Sequence, residues 1–254
     1  MKIATWNVNS LKVRLPQVLH WLEATSIDIL ALQELKIADE YFPIESFAQL
    51  GYHAVFNAQK TYNGVALLSR SAPTHVAKDN QFYPDKHKRI IAATYNDLRV
   101  INVYAVNGES LDSDKFTYKE AWYKGLLHLV AAELKLYKEL LILGDFNIAP
   151  SDLDVYEPAL WQNKVLCSPA ERGWFQELIA LGLKDSLRVL APDTSLYTWW
   201  DYRMNAFKRN LGLRIDHILV TPTLLAKVQG FGIEKSLRKM ERPSDHAPVW
   251  LELS

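Results

Sequence analysis

Six places along the chain carry residue types suited to chemistry on a phosphate ester: Asn7, Glu34, Tyr104, Asp145 with Asn147, Asp216, and Asp245-His246. Each closes, or lies near the end of, a strand-like apolar run. Strands that share a sheet bring their ends to one edge, where open α/β folds place their sites. Carboxylates, amides and an imidazole without paired cysteines make an oxygen-rich donor set, which suits Mg²⁺ or Mn²⁺ and not structural zinc. Phosphodiester hydrolysis needs a group to align or deprotonate water and donors or cations to stabilise the phosphoryl oxygens. Glu34 fits a metal ligand, Asp145 a base, and Asn147 and His246 oxyanion partners. Asp245 is expected to orient His246 or a nearby group. Asp216 is expected to orient Asn147 or His246, or to help at a second metal position; as an alternative it pairs with Arg214.

The elements that must position these groups follow from apolar spacing. Residues 2–6 read as a strand entering Asn7-Val8-Asn9, and Ile27–Glu34 as a second, buried strand. Leu15, Leu19 and Leu22 have helical spacing, with Pro16 tolerated only near a helix start. Tyr52–Phe56 and Val65–Ser69 read as strands joined at Tyr62-Asn63-Gly64, and Arg89–Tyr95 with Arg99–Tyr104 as a hairpin about Asn96-Asp97. Residues 113–137 are the clearest helix, with Phe116, Tyr123, Leu127, Val130, Leu134 and Tyr137 on one stripe. Leu140–Leu143 is an apolar run that stops at Gly144-Asp145-Phe146-Asn147. Ser168-Pro169-Ala170-Glu171 has the form of a capping box opening a second helix, and Gly182 suits the position just past its end. Arg214–Val220, Val228–Ile233 and Val249–Leu253 read as late strands. The pattern predicts mixed sheets with helices outside, in one α/β domain over residues 1–254.

Composition narrows the classes. The chain has 254 residues, 49% of them hydrophobic, enough for a sizeable core. Lys+Arg and Asp+Glu both number 29, so net charge gives no argument for a nucleic-acid or membrane partner and excludes neither a local basic rim nor DNA. Cys167 is the single cysteine, which forbids an internal disulfide and any multi-cysteine zinc site and fits a reducing compartment. No apolar run approaches the ~20 residues of a membrane span. The first residues enter a strand pattern at once, with no visible cleavable signal. The expectation is a cytoplasmic protein with no membrane partner.

Taken in order, Trp6-Asn7-Val8-Asn9, Leu32-Gln33-Glu34-Leu35-Lys36, Tyr62-Asn63-Gly64-Val65, Gly144-Asp145-Phe146-Asn147, Gly212-Leu213-Arg214-Ile215-Asp216 and Arg242-Pro243-Ser244-Asp245-His246-Ala247-Pro248 resemble the exonuclease III family of abasic-site endonucleases, within the endonuclease/exonuclease/phosphatase superfamily. The resemblance spans residues 2 to 252. It implies a four-layer sandwich, two mixed β-sheets face to face and flanked by helices, as in deoxyribonuclease I-like proteins. It implies Mg²⁺-dependent cleavage of DNA 5′ to abasic sites, removal of blocked 3′ ends, and 3′→5′ exonuclease action, by a monomer on double-stranded DNA. Residue by residue, it places Asn7, Glu34 and Asp245 at the metal end, Tyr104 and Asn147 on the attacked phosphate, and Asp145 on the water. Asp216 and Asp245-His246 complete the site. Leu35 stands where the family more often has Thr. Two other readings are an inositol-phosphate or sphingomyelin phosphodiesterase of the same superfamily, and a non-catalytic DNA-binding relative.

Thr198-Trp199-Trp200-Asp201-Tyr202-Arg203 can be core or a stacking platform for a sugar or an extruded nucleotide. The resemblance assigns Trp199 and Leu213, and less firmly Trp200, to the abasic-sugar pocket. Asn107, Lys36 and Tyr62 are expected to contact the substrate. Lys60, Arg70, Lys86-His87-Lys88-Arg89, Lys208-Arg209, Arg238-Lys239 and Arg242 can together hold phosphates without reading sequence. His217 is expected to face away from the site. The stretch Asp152–Cys167 follows the acidic turn with few structural signals, and it is expected to set which DNA ends enter.

Overall fold

Runs rich in Val, Ile and Leu, each five to seven residues long and buried on both faces, form the centre of the molecule. The computed structural model describes residues 1–254. In chain order the elements are β1 (Lys2–Asn7), α1 (Leu11–Ala24), β2 (Ile29–Gln33), α2 (Ile44–Gln49), β3 (His53–Asn57), β4 (Val65–Ser69), β5 (Thr74–Lys78), β6 (Ile90–Tyr95), β7 (Leu98–Tyr104) and α3 (Asp114–Leu136). There follow β8 (Glu139–Asp145), α4 (Pro158–Trp161), α5 (Pro169–Ala180), β9 (Lys184–Asp185), α6 (Ser186–Leu190), β10 (Asp216–Val220), α7 (Pro222–Leu225), β11 (Val228–Ile233) and β12 (Val249–Leu253).

The strands form two six-stranded mixed sheets, ordered β11-β12-β1-β2-β4-β3 and β5-β6-β7-β8-β10-β9. Ile3, Ala31, Leu67 and Leu251 of the first sheet meet Ile91, Val100, Leu141 and Ile218 of the second in one buried layer. The outer face of the first sheet packs on α1 and α2 through Ala4, Leu30, Trp21 and Phe47. The outer face of the second packs on α3 and α5 through Ile101, Ile142, Trp122 and Phe175. The result is the expected four-layer sandwich.

Register places the polar ends. Parallel pairing of β7 with β8 sets Tyr104 beside Asp145, and antiparallel pairing of β8 with β10 sets Asp145 beside Asp216. In the other sheet, β1 runs parallel to β2 and sets Asn7 beside Gln33, so that Glu34 follows at the rim. Beneath that rim Gln33 Nε2 donates to Thr5 Oγ1 and to Asn102 Oδ1, each at 2.8 Å, and Asn102 Nδ2 donates to the carbonyls of Leu32 and Ala66. This buried amide pair ties the two sheets together directly below the site.

Several boundaries differ from the sequence reading. The second strand is shorter than Ile27–Glu34, because Glu34 takes a left-handed φ of +53° and breaks the ladder. Pro16 lies inside α1, not at its start; the helix survives because Leu11, Val18, Trp21 and Leu22 are buried on it. The predicted stripe of α3 packs on the second sheet's outer core, and the buried face is wider than that stripe, taking in Lys119, Trp122, Leu126 and Leu129 as well. The last predicted strands begin with β10 at Asp216, not Arg214. Strand β5 was not expected: it is an edge strand, exposed along its whole length, and carries no buried alternation to read. The Ser168 capping box forms as expected, with Ser168 Oγ accepting from Glu171 N and Glu171 Oε2 accepting from Ser168 N.

Candidate active site

Five strand ends converge at one edge of the sandwich. Gly144 makes the approach possible: at φ +142°, a Cβ there would lie 1.9 Å from the Val103 carbonyl oxygen, so any larger residue would push β7 and β8 apart. Asn147 then takes φ +50°, a turn that Asn tolerates better than most residues. The turn is closed by Asn147 N donating to Asp145 Oδ1 at 2.9 Å.

Asn7 stands between two carboxylates. Its Nδ2 donates to Glu34 Oε1 at 2.8 Å and to Asp145 Oδ2 at 2.9 Å, while its Oδ1 accepts from Asn9 N at 3.0 Å. Glu34, Asp145 and His246 each offer one ligand atom within 4.8 Å of the others. Asn7 turns its donor, not its oxygen, toward the acids. Asp245 has both oxygens engaged elsewhere, Oδ2 by Trp199 Nε1 at 2.9 Å and Oδ1 by Asn9 Nδ2 at 3.0 Å. Glu34 lies in this group with Asp145 and His246, Asn7 bridges its two carboxylates, and Asp245 holds Trp199 and Asn9 beside it. Lys36 closes the cluster, with Nζ 2.8 Å from Glu34 Oε2 and donating to Asn9 Oδ1 at 2.7 Å.

His246 is held by Asp216, not by its neighbour Asp245. Its Nδ1 lies 2.9 Å from Asp216 Oδ2, and its Nε2 lies 3.8 Å from Asp145 Oδ2. A carboxylate can only accept, so Nδ1 carries the proton. Asp216 Oδ2 also accepts from Thr198 Oγ1 at 2.6 Å. The alternative pairing of Asp216 with Arg214 does not occur. Arg214 is buried, with Nε donating to Asp154 Oδ1 at 2.6 Å and NH2 to Asp185 Oδ2 at 2.7 Å. His217 faces away, as expected, with Nδ1 3.1 Å from Arg214 NH1 and Nε2 2.8 Å from the Ile148 carbonyl.

The electrostatics set the charge states. Burial on its own would keep His246 neutral, but the Asp216 carboxylate outweighs it, with Asp145 and Asp245 adding, and the pKa stands at about 10. Burial lifts Asp145 to about 7; His246 and the Asn7 hydrogen bond pull it down, while Asp216 and Glu34 push it up. Burial and the nearby Glu34 raise Tyr104 well above its ordinary value, so its phenol is neutral and can donate but is a poor base. The site at neutral pH thus juxtaposes an imidazolium, carboxylates and amide donors.

The remaining expected contacts divide. Asn107 reaches the site, with Nδ2 donating to Asn147 Oδ1 at 3.0 Å; Asn147 Nδ2 in turn donates to the Ala105 carbonyl at 3.0 Å. Tyr62 is 67% exposed at the rim. Trp199 is partly exposed and bridges Leu213 and His246 in irregular strand pairing. Trp200 is fully buried against Phe207 and is core. Leu213 is 0% exposed and shares one buried apolar cluster with Val155, Leu166 and Cys167 of the segment after the acidic turn. Arg238 is also buried, donating to the Ser244 carbonyl, and so leaves the basic rim. Sequence reasoning missed Thr198 and Asn9 as partners of the acids. Both lay in stretches already noted, Asn9 two residues after Asn7 and Thr198 at the head of the tryptophan cluster, where the aromatics drew the reading.

Residues 4–246 match the model of the endonuclease/exonuclease/phosphatase family. The chain is 41% identical to exodeoxyribonuclease III of Haemophilus influenzae, over 99% of each chain. Among solved structures, it superimposes with a TM-score of 0.99 and 52% identity on the 3′ phosphatase NExo from Neisseria bound to a product DNA hairpin, covering 100% of this chain and 99% of that one. With a TM-score of 0.97 and 36% identity it matches an AP endonuclease from Archaeoglobus fulgidus, covering 100% and 99%. No helix is long and apolar enough to cross a membrane. The chain therefore belongs to the endonuclease/exonuclease/phosphatase family, in its exonuclease III group.

Proposed function

We propose that this protein is an Mg²⁺-dependent DNA-repair phosphodiesterase that removes blocking groups from 3′ ends, trims 3′→5′, and cleaves 5′ to abasic sites in duplex DNA, with 3′-terminal groups preferred. The observation that carries the reading is the convergence of Glu34, Asp145 and His246 around the amide of Asn7. The donor set fits a hard cation: two carboxylates, no thiolate, and Glu34 oxygens with lone pairs left over beside Asn7 and Lys36. Glu34 would hold Mg²⁺ or Mn²⁺, with Asp145 facing it. Such an ion neutralises charge on phosphoryl oxygens when bound.

The chain's own groups supply the rest. Asp145 takes the proton of the attacking water; its raised pKa makes it a better acceptor than an ordinary carboxylate while it stays largely ionised above pH 7. The His246 imidazolium and the second amide hydrogen of Asn147 face the phosphoryl oxygens, where charge grows. The Tyr104 phenol donates to the same group. Asp216 keeps His246 charged and fixes which nitrogen points inward.

The preference for 3′ ends is supported by the burial of Leu213. A sugar extruded from a duplex would meet Trp199 but not Leu213, which has no exposed surface. A phosphate at a 3′ terminus needs no such pocket. Single-turnover rates on a 3′-phosphate nick and on an abasic duplex, with Mg²⁺ and with excess EDTA, test both parts. The expected result is faster removal of the 3′-phosphate and no activity in chelator. Full activity in EDTA would refute the metal, and a faster abasic cut would refute the preference.

A further inference from the structure

Lys119 is the sixth residue of α3, completely buried, and is not one of the site groups described above. Its Nζ donates to the Asn107 carbonyl at 3.0 Å, to the Asn147 carbonyl at 2.7 Å, and to Glu171 Oε1. Glu171 is also completely buried. Its Oε1 accepts from Leu166 N at 2.9 Å, and its Oε2 from Ser168 N at 3.1 Å and Ser168 Oγ at 2.6 Å. One ammonium and one carboxylate therefore tie together three loops: the one after β7, the turn after β8, and the one before α5.

The two carbonyls on Lys119 belong to the two asparagines whose side chains meet in the site, Asn107 Nδ2 on Asn147 Oδ1. Asn147 is thus fixed twice, by its side chain from above and by its main chain from below. A buried ion pair is a poor source of stability, because removing two charges from water costs about as much as their attraction returns, and apolar replacements are often neutral or better. What such a pair supplies is geometry. An ammonium with three acceptors sets the spacing of the groups it holds, and displacement of a catalytic group by about 1 Å can cost about 10²-fold in rate.

We infer that the buried Lys119–Glu171 pair is the positioning device that sets the Asn107–Asn147 amide pair against the attacked phosphate. This rests on the nuclease reading above. Lys119 touches no substrate and acts through Asn147 and Asn107 alone.

The test is the variant Lys119→Met/Glu171→Gln, which removes both charges together, keeps the stem volume, and retains an acceptor for the loop amides. Single-turnover cleavage of a 3′-phosphate nick with saturating Mg²⁺ should fall about 10- to 100-fold, while half-saturating DNA stays within about threefold and the thermal midpoint is kept. In an Asn107→Ala/Asn147→Ala background, the same pair of changes should cost less than about threefold, because what Lys119 positions is already gone. An equal loss in both backgrounds would mean that Lys119 acts elsewhere and would overturn the inference. So would a native rate in the variant. Should that variant fail to fold, Glu171→Gln alone carries the test: a loss of about fivefold is expected, and an unchanged rate overturns it. Native protein that leaves the nick intact would sink the nuclease reading itself, whereas cleavage by the native protein with unchanged variant rates would sink the positioning role alone.

Discussion

Replacing Asp216 by Asn should discharge His246. Asp216 Oδ2 lies 2.9 Å from His246 Nδ1, and both groups are buried. The imidazole pKa of about 10 stands above the ordinary ~6.5, a gap worth roughly 5 kcal/mol at ~1.4 kcal/mol per pKa step. Burial opposes the rise and Asp145 and Asp245 contribute less than Asp216, so loss of the Asp216 charge should remove more than half of it, roughly 3 kcal/mol. That is about two pKa steps, which brings the group down to about 8. The sign follows from the raised value: in the native protein the charged imidazole is favoured through the whole range up to about 10, and its contribution is lost only as pH climbs through that value. The assay is NMR titration of the imidazole Cε1–H in metal-free protein, paired with single-turnover pH profiles in Mg²⁺. Asp216→Asn should titrate about two pKa steps below the native protein and cleave about tenfold more slowly at pH 9, with the deficit shrinking toward pH 7. A native imidazole that titrates near 6.5, or a variant that still titrates near 10, would refute the reasoning.

Three further outcomes are expected. Arg214→Met strands the buried Asp185 carboxylate and leaves Asp154 with Arg188 as its only cation, and should cost roughly 3–5 kcal/mol, read as a loss of about 10 °C or more in thermal midpoint. Burial and then Arg214 hold His217 at about 4, a depressed value, so its contribution is full above the unfolded ~6.5 and is lost as pH falls toward 4; urea melts should show about 2 kcal/mol less stability at pH 5 than at pH 7 from this group, a difference that shrinks in His217→Gln. Leu166 shares the buried cluster of Leu213 at a left-handed φ of +75°, a conformation that glycine adopts freely, so Leu166→Gly should loosen that cluster and raise the ratio of abasic-site incision to 3′-phosphate removal, measured on matched duplexes.

The chemistry was more legible in the sequence than the connections that support it. Asn7, Glu34, Asp145, Asn147, Asp216 and His246 stand at strand ends, and register brings those ends together once the strands are read correctly. What each group bonds was less visible. The sequence left Asp245 and Asp216 both open as partners of His246; the fold gives the histidine to Asp216 from β10 and leaves Asp245 to Trp199 and Asn9. Lys119 and Glu171 are 52 positions apart, and nothing local marks either as buried. Leu213 reads as a pocket residue by its motif; only the packing of the irregular segment from 152 to 167 closes it. Edge strand β5 and the two-residue β9 lack the apolar alternation that betrays a strand.

The central claim is that Asp145, among Glu34, Asn7 and His246, hydrolyses DNA phosphodiesters. It is tested most directly by Asp145→Asn in single-turnover cleavage of a 3′-phosphate nick with saturating Mg²⁺, with circular dichroism confirming the fold. The account predicts a native-like spectrum and a rate lower by about 10²–10⁴. A folded Asp145→Asn protein that cleaves within about threefold of the native rate would contradict it.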